Sequence, residues 1–171
     1  MDEDGIQKHP LILHCSPSGA IERVIYALLE KEAIRMSKGE KAMLPLWLSP
    51  TQIRFIPISD DFVNDCELYA KKLDKHSSLE LIRSDIDDRD ESVGRRIRDA
   101  EKEWIPIIVV VGDKEKTAGR FKPRFRSSEI GDDNKVYSIE ELAAIIDAYG
   151  NGFPTEPLPL PKLLSKRPRF K

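Results

Sequence analysis

Basic and apolar residues alternate over residues 120–126 of this sequence. Every second position there is a cation: Arg120, Lys122, Arg124 and Arg126. Because successive side chains of a β-strand point to opposite faces, the four cations would share one face. Such a row beside the end of a buried strand is an electrostatic site for a polyanion. It is equally typical of a solvated edge strand that its charges and Pro123 keep from pairing with other chains.

An apolar run precedes this basic row and indicates the centre of a sheet. Ile107–Val111 is short, unbroken and rich in β-branched residues, which is typical of a strand buried on both faces. Gly112 and Asp113 end the run, and a short polar turn that contains Glu115 connects it to the cations. We therefore expect the buried strand to position the basic row.

The composition limits the class of protein. The formal net charge is -2, from 28 Lys and Arg against 30 Asp and Glu, so a basic site must come from local segregation of charge. At 40% hydrophobic and 34% charged, the 171 residues suit one soluble domain with an additional segment. Two distant cysteines, Cys15 and Cys66, suit a reducing cytoplasm. No apolar run is long enough to span a membrane and no signal peptide is visible, so we expect no membrane association.

Hydrophobic periodicity predicts strands and helices that alternate along the chain. Residues 11–15 are predicted to form a short strand, and residues 20–36 an amphipathic helix. From residue 53 onward the predicted order is β-α-β-α-β-β-α, with the second of these strands at residues 79–85. This order indicates an α/β sandwich that has a mixed sheet and an antiparallel last strand pair.

Three local patterns refine this prediction. Ser138 and Glu141 form a capping box at the start of the last helix, and the prolines of residues 153–164 favour an extended strap. Residues 85–91 are acidic and loop-like. The next helix is predicted to run from Val93 to Trp104 and to expose four cations, which would suit either a basic site or an ordinary solvated face: Arg95, Arg96, Arg98 and Lys102.

Two groups of motifs resemble the class IIa aminoacyl-tRNA synthetases. Residues 106–115 with Arg-Phe-Lys-Pro-Arg at 120–124 resemble the anticodon-binding domain, and residues 11–26 resemble the third signature motif of the class II catalytic domain. Residues 44–52 and the tail at 157–168 are similar to threonyl-tRNA synthetases of the archaeal type. The resemblance covers nearly the whole chain. It implies a mixed five-stranded sheet flanked by helices and preceded by a strand–helix remnant of the catalytic domain.

The resemblance divides the chain into a catalytic-domain remnant at residues 1–36, a connector at 37–46, an anticodon-binding domain at 47–152 and a Pro-rich basic tail at 153–171. It implies tRNA anticodon recognition as part of a threonine–tRNA ligase that uses ATP, Mg²⁺ and Zn²⁺. The chain alone is expected to be inactive, to need no cofactor, to bind no DNA and to be a cytoplasmic monomer. The parent enzyme is expected to dimerise through its catalytic domain.

The resemblance assigns base reading to Glu115 and Arg124, on the middle G and final U that threonine enzymes read. A carboxylate can accept hydrogen bonds from guanine N–H groups, and an arginine presents a planar fork to base edges. Asp90 matches a third family contact position by its placement alone. Phosphate contacts are expected from four further cations: Arg96, Arg120, Lys122 and Arg126.

Two residues of the N-terminal segment match catalytic positions of the family. Arg23 matches the arginine of the third motif that contacts ATP, and His14 matches a ligand of the catalytic zinc. A catalytic zinc needs three protein ligands and an open position. Because neither His9, His76 nor either cysteine matches the other two ligands, we expect His14 and Arg23 to be vestigial in this chain and the metal site to be empty.

Three other interpretations stay open. A prolyl, histidyl or glycyl synthetase, or a proofreading-only relative of the threonine enzyme, would share most of the motifs. A non-catalytic interaction module with the same fold would need no base specificity. A small nucleotide-binding α/β protein would place a phosphate loop after the central strand, but no such loop, of the form GxxxxGK[ST], is present.

Overall fold

The structure is a computed structural model that describes residues 5–7, 9, 11–17, 19–78 and 82–168. Short 3₁₀ turns at Asp60–Phe62 and Leu164–Lys166 accompany the regular elements. In chain order these elements are α1 (Ile21–Ser37), β1 (Ile53–Pro57), α2 (Val63–His76), β2 (Ser84–Ile86), α3 (Val93–Lys102), β3 (Ile107–Val111), α4 (Asp113–Ala118), β4 (Arg124–Phe125) and α5 (Ile139–Gly150).

The strands form one mixed sheet in the order β2-β1-β3-β4. The first three are parallel, and β4 runs antiparallel to β3. This confirms the predicted α/β class and mixed sheet, although the described part of the chain forms four strands rather than five. The C-terminal strap adds only an isolated parallel bridge between Leu163 and Ile86 at the outer edge of β2.

Helices cover both faces of the sheet, as an α/β sandwich requires. On one face α2 and α5 pack over a large core that includes Phe55, Leu73 and Leu142. On the other face α3 covers a smaller cluster around Ile56 and Ile108. All five residues of the central strand β1 are buried, so the strand does not alternate apolar and polar side chains. Its one charged side chain, Arg54, is paired with Asp85.

One predicted strand does not form, and another begins later than predicted. Residues 11–15 form no strand and are exposed, because no neighbouring strand in the described chain pairs with them. The strand predicted at 79–85 is instead Ser84–Ile86, and residues 79–81 lie outside the described residues. The start of the supposed acidic loop is therefore a buried strand, since Asp85 is neutralised by Arg54.

The helices follow the predicted positions more closely. The capping box at the start of α5 is confirmed, because Ser138 Oγ accepts from the Glu141 N–H at 3.2 Å and the Glu141 carboxylate accepts from the Ser138 N–H at 2.6 Å. The polar turn predicted after β3 is wrong, since residues 113–118 form α4. Gly119 ends this helix at a φ of 61°, a conformation that glycine adopts without strain.

None of the helices in the described ranges is long and apolar enough to cross a membrane.

Candidate nucleic-acid interface

The basic row lies at the open edge of the sheet, on the side that α3 only partly covers. Arg124 in β4 is opposite Ile108 in β3, and Ile108 belongs to the apolar cluster on the α3 face. Phe121 and Phe125 point the other way, into the core beneath α2 and α5. The predicted alternation of exposed and buried residues is therefore confirmed, and Arg124 faces solvent beside α3.

The regular strand is much shorter than the alternation predicted, since only Arg124 and Phe125 belong to β4. Pro123 has no N–H to donate to a strand ladder. Phe121 leaves the ladder and pairs with Tyr137 instead, with both N–H···O distances at 2.8 Å. The row of cations is thus held by a short strand and a separate bridge.

Two of the four cations in the row are already engaged within the protein. Arg120 donates to Glu141 at 3.1 Å and to the Val136 carbonyl at 2.9 Å. Arg126 donates to the carbonyls of Ala42 and Glu101, and burial lowers the pKa of its guanidinium. Both residues can still add positive potential, but their donors hold the protein together.

The other two cations are available for a ligand. Lys122 and Arg124 are exposed, and neither has an ion pair with any residue that the structure describes. Arg124 also borders a small cavity that Ile108, Phe125 and Arg126 line. A planar guanidinium beside apolar side chains can hydrogen-bond to a base edge or stack on a base.

Glu115 lies in the first turn of α4, where its carboxylate Oε2 accepts the Gly112 N–H at 3.0 Å. It is therefore partly used as a helix cap. Arg124 pairs with Ile108 near the start of β3, whereas Gly112 and α4 follow the end of that strand. The structure therefore places the two predicted base readers near opposite ends of β3.

Arg96 does not lie on the exposed face of α3, which corrects the prediction. Its side chain is 6% exposed, and Nη1 donates to the Asp87 carbonyl at 2.7 Å just after β2. Arg95, the next residue, is exposed and pairs with Glu91 at 3.1 Å. Arg96 thus fixes α3 against the end of β2.

Asp90 is exposed in the turn before α3. It borders a cavity of about 510 Å³ between α3 and the C-terminal strap, whose other lining residues include Arg89, Arg95 and Arg167. Lys122 and Arg124 do not line this cavity. Asp90 is therefore on the same side of the sheet as the basic row but in a separate depression.

Comparison with known families shows what this arrangement belongs to. The sequence profile of the family described as anticodon binding domain matches residues 52–149. These residues include the whole sheet, α3, Glu115 and Arg124. The chain belongs to the anticodon-binding domain family.

Relatives of this anticodon-binding domain extend over almost the whole chain. It is 54% identical to the threonine–tRNA ligase of Pyrococcus horikoshii, 52% to that of Pyrococcus furiosus and 51% to that of Thermococcus sibiricus. Each alignment covers 99% of this chain but 26% of the relative, so the chain spans about a quarter of their length. The resemblance to archaeal threonyl-tRNA synthetases is confirmed.

A solved structure shows the same fold. The crystal structure of the RNA binding domain of threonyl-tRNA synthetase from Cryptosporidium parvum matches with a TM-score of 0.53 and 22% identity. The match covers 68% of this chain and 27% of that one. It supports the fold of this anticodon-binding domain and nothing finer.

In the described part of the N-terminal segment, the two residues that match catalytic positions are both exposed. His14 is exposed, and the described residues contain no group of three His, Cys, Asp or Glu side chains that could hold a metal ion. The part of the chain that the structure describes therefore does not fit a zinc site. Arg23 is exposed on α1.

Trp104 belongs to this surface but was not predicted as a functional residue. Trp104 was placed inside the third helix of the chain, but α3 ends at Lys102 and Trp104 follows with a φ of 59°. It borders a cavity with Lys41, Arg98, Lys102 and Arg126. The aromatic residue among nearby cations was the available signal, since stacking platforms for single-stranded nucleic acids have this composition.

Proposed function

We propose that the chain is the anticodon-binding part of a threonine–tRNA ligase and that it binds the anticodon loop of threonine-specific tRNA. The family match and the identity to three threonine–tRNA ligases support this proposal. ATP-dependent attachment of threonine, with Mg²⁺ and Zn²⁺, is proposed for the whole protein and not for this chain alone. The boundaries after residues 36, 46 and 152, which separate the catalytic-domain remnant, the connector, the anticodon-binding domain and the tail, are also part of the proposal.

The observation that carries the proposal is a pair of exposed cations at the open sheet edge, Lys122 and Arg124, which form no ion pair with the described residues. Sequence-specific recognition of RNA uses splayed loop bases whose edges are free. In this proposal Arg124 reads a base edge, because its guanidinium is exposed next to the apolar Ile108. Lys122 contacts a phosphate, which positions the loop without specifying its sequence.

Glu115 has a second role in this proposal. One carboxylate oxygen caps α4, while the other oxygen and the remaining lone pairs can accept N–H groups of a guanine. Arg120 and Asp90 remain proposed contacts, whereas Arg96 and Arg126 act by holding α3 and β4 in place.

Compartment and assembly follow from the same proposal. Cys15 and Cys66 are free thiols, which fits a reducing cytoplasm. The chain alone is proposed to be a monomer, and the whole ligase a dimer through its catalytic domain.

The test compares Arg124→Ala with the matched variant Lys122→Ala. The affinity of each variant is measured for the anticodon stem-loop of a threonine tRNA and for the same loop with its middle G replaced by A. Both measurements are made at several fixed salt concentrations. Arg124→Ala is expected to lose about 1–3 kcal/mol of affinity for the native loop and much of its preference. Lys122→Ala is expected to weaken both loops equally and to reduce the salt slope by about one.

Two results would contradict the proposal. If the native chain binds both loops equally, its surface contacts only the sugar-phosphate backbone of the RNA and does not read bases. Failure of the native chain to bind either loop at low salt would exclude anticodon recognition by this chain.

A further inference from the structure

Helix α3 ends in a conformation that is unusual for its residue type. The Ile105 N–H donates to the Ala100 carbonyl at 3.1 Å, and the Trp104 N–H donates to the Glu101 carbonyl at 3.2 Å. This pair of bonds is a Schellman motif with Trp104 at the position that glycine normally occupies. Trp104 has a φ of 59°, and within the described ranges every other residue with positive φ is a glycine.

Such a conformation is costly for a tryptophan, because its Cβ crowds the following carbonyl group. The structure offers no compensation in the form of a fully buried ring, since Trp104 is only partly buried. Backbone strain of this kind concentrates at binding sites, and an observed outlier is a reason to look for a function.

The surroundings of Trp104 are strongly basic on one side. A cavity of about 390 Å³ is lined by Trp104, Glu101 and four cations: Lys41, Arg98, Lys102 and Arg126. Lys41 and Arg126 also line the small cavity beside Arg124, together with Glu101 and Asp133, so cations extend from Trp104 to the proposed base reader. This excess of positive charge complements a polyanion.

The other side of Trp104 faces a cavity in which apolar residues adjoin Glu103 and Arg167. Trp104 also borders a cavity of about 320 Å³ with Leu44, Pro50, Leu158 and Leu160. The indole thus stands between apolar residues of the connector and the strap and the open basic cavity. An aromatic ring backed by apolar side chains and flanked by cations can stack on an unpaired base.

We propose that Trp104 is a stacking platform for an unpaired nucleobase of the tRNA, and that Lys41, Arg98 and Lys102 contact the neighbouring phosphates. This inference rests on the proposed function, because the same RNA loop would reach both Trp104 and Arg124. Stacking tolerates every base, so the platform adds affinity that does not depend on sequence. Arg124 supplies discrimination, and Trp104 supplies retention of the loop.

The first test observes Trp104 directly. The chain contains two tryptophans, and the other is Trp47, which stacks on Phe153 with ring centroids 4.4 Å apart. Trp47→Phe retains an aromatic ring at that position and leaves Trp104 as the sole indole. Titration with the threonine anticodon stem-loop is expected to quench this fluorescence along the same curve as the anisotropy of the labelled RNA.

The second test uses Trp104→Gly with Trp104→Phe as the matched control. Glycine removes the ring and suits the positive φ, so the melting temperature is expected to stay within about 4 °C of the native value. Affinity for the stem-loop is expected to fall about five- to 150-fold, equally for the loop with the altered middle base. Trp104→Phe retains a ring and is expected to lose less.

The salt dependence of RNA affinity distinguishes the contribution of the Trp104 ring from that of the cations. Trp104→Gly is expected to leave the salt slope unchanged, whereas Lys102→Ala reduces it by about one. Native affinity in Trp104→Gly, or anisotropy that reports binding while the Trp104 fluorescence stays constant, would overturn the platform and leave the proposed function standing. Absence of any anisotropy change for the native chain would overturn both.

Discussion

The guanidinium of Arg54 and the carboxylate of Asp85 form a bidentate ion pair between β1 and β2. The Nε–Oδ1 distance is 2.7 Å and the Nη2–Oδ2 distance is 2.9 Å. The two side chains are 1% and 0% exposed. Burial lowers the pKa of Arg54, but hydrogen bonding to Asp85 and its charge outweigh burial and hold that pKa above the usual value.

This pair joins elements that are far apart in the chain. Arg54 Nη2 also contacts Glu103 after α3 at 2.8 Å. Arg167, which follows the strap, contacts Asp85 Oδ2 at 3.0 Å. The pair therefore ties the sheet to α3, which carries part of the proposed RNA surface, and to the C-terminal strap.

Replacing Asp85 by Ala should lower the free energy of unfolding by about 3–5 kcal/mol, because two guanidinium groups lose their buried partner. Urea unfolding measures the change. Glu103→Ala is the matched control, since its side chain is 50% exposed and should cost no more than about 1 kcal/mol. Equal costs for the two variants would show that burial of the pair does not matter.

Arg167→Ala should cost less than Asp85→Ala, about 1–3 kcal/mol, because Asp85 keeps Arg54 as a partner. The strap should loosen at the outer edge of β2, where the Ile86 N–H donates to the Lys162 carbonyl at 2.9 Å. Hydrogen exchange at the Ile86 amide should therefore accelerate. The control is Lys166→Ala, whose exposed side chain has no ion pair in the described chain. Equal protection of the Ile86 amide in both variants would show that the Arg167–Asp85 ion pair does not hold the strap on β2.

Glu115→Ala should lower stability by about 1 kcal/mol, because the Gly112 N–H loses the carboxylate that caps α4. Glu115→Gln keeps an oxygen that can cap the helix, so thermal unfolding should be close to native. If the carboxylate also reads a guanine, Glu115→Gln should still lose preference for the middle G in stem-loop binding. A variant with native stability and native preference would leave Glu115 as a helix cap alone.

Local sequence signals predicted the parts of this fold that local physics determines. The run Ile107–Val111 is the buried strand β3, and the capping box of Ser138 and Glu141 starts α5. The alternation of exposed and buried side chains around Arg124 could also be predicted, because successive side chains of an extended chain point to opposite sides.

Charges whose partners are distant in the chain could not be read in this way. Arg54 and Asp85 look like solvated residues in the sequence, and only the pairing of β1 with β2 brings them together. Arg96 looked exposed for the same reason, since its partner is a backbone carbonyl after β2. The positive φ of Trp104 was also hidden, because glycine is the residue that normally signals such a helix end.

Alkaline pH should weaken the fold through Cys66, whose thiol is buried at 0% exposure. Burial, followed by the charge of Asp65, raises the pKa of Cys66 to about 12, from a value of 9.0. Because the folded-state pKa is raised, the contribution to stability is complete below pH 9 and is lost as the pH rises towards 12. Urea midpoints at pH 8 and pH 10.5 measure the loss.

The control for this pH effect is Cys66→Ala, which should show a smaller drop in the urea midpoint between the two pH values than the native chain. Thiol reagents give a second readout at pH 8. Cys15 is exposed and should react in the native protein, while Cys66 should react only after denaturation. Rapid reaction of both thiols in the folded chain would contradict the burial of Cys66.

Gly131→Ala should connect core packing to RNA binding. A Cβ at Gly131 would lie 2.5 Å from two ring carbons of Phe125, so the ring must move. Phe125 is 5% exposed and is the neighbour of Arg124 in β4. We expect a loss of about 1–3 kcal/mol in unfolding free energy from overpacking, and weaker stem-loop binding because Arg124 moves with the strand.

The matched control is Gly94→Ala in α3. A Cβ at Gly94 meets nothing within 4 Å, and the helical position favours alanine by about 0.4–1 kcal/mol. This variant should be at least as stable as the native chain and should bind the stem-loop with native affinity. Gly131→Ala could instead lower stability but leave both the affinity and the preference for the middle G unchanged. The position of Arg124 would then not depend on the packing of Phe125. In that case the backbone hydrogen bonds between β3 and β4 alone hold Arg124 in place.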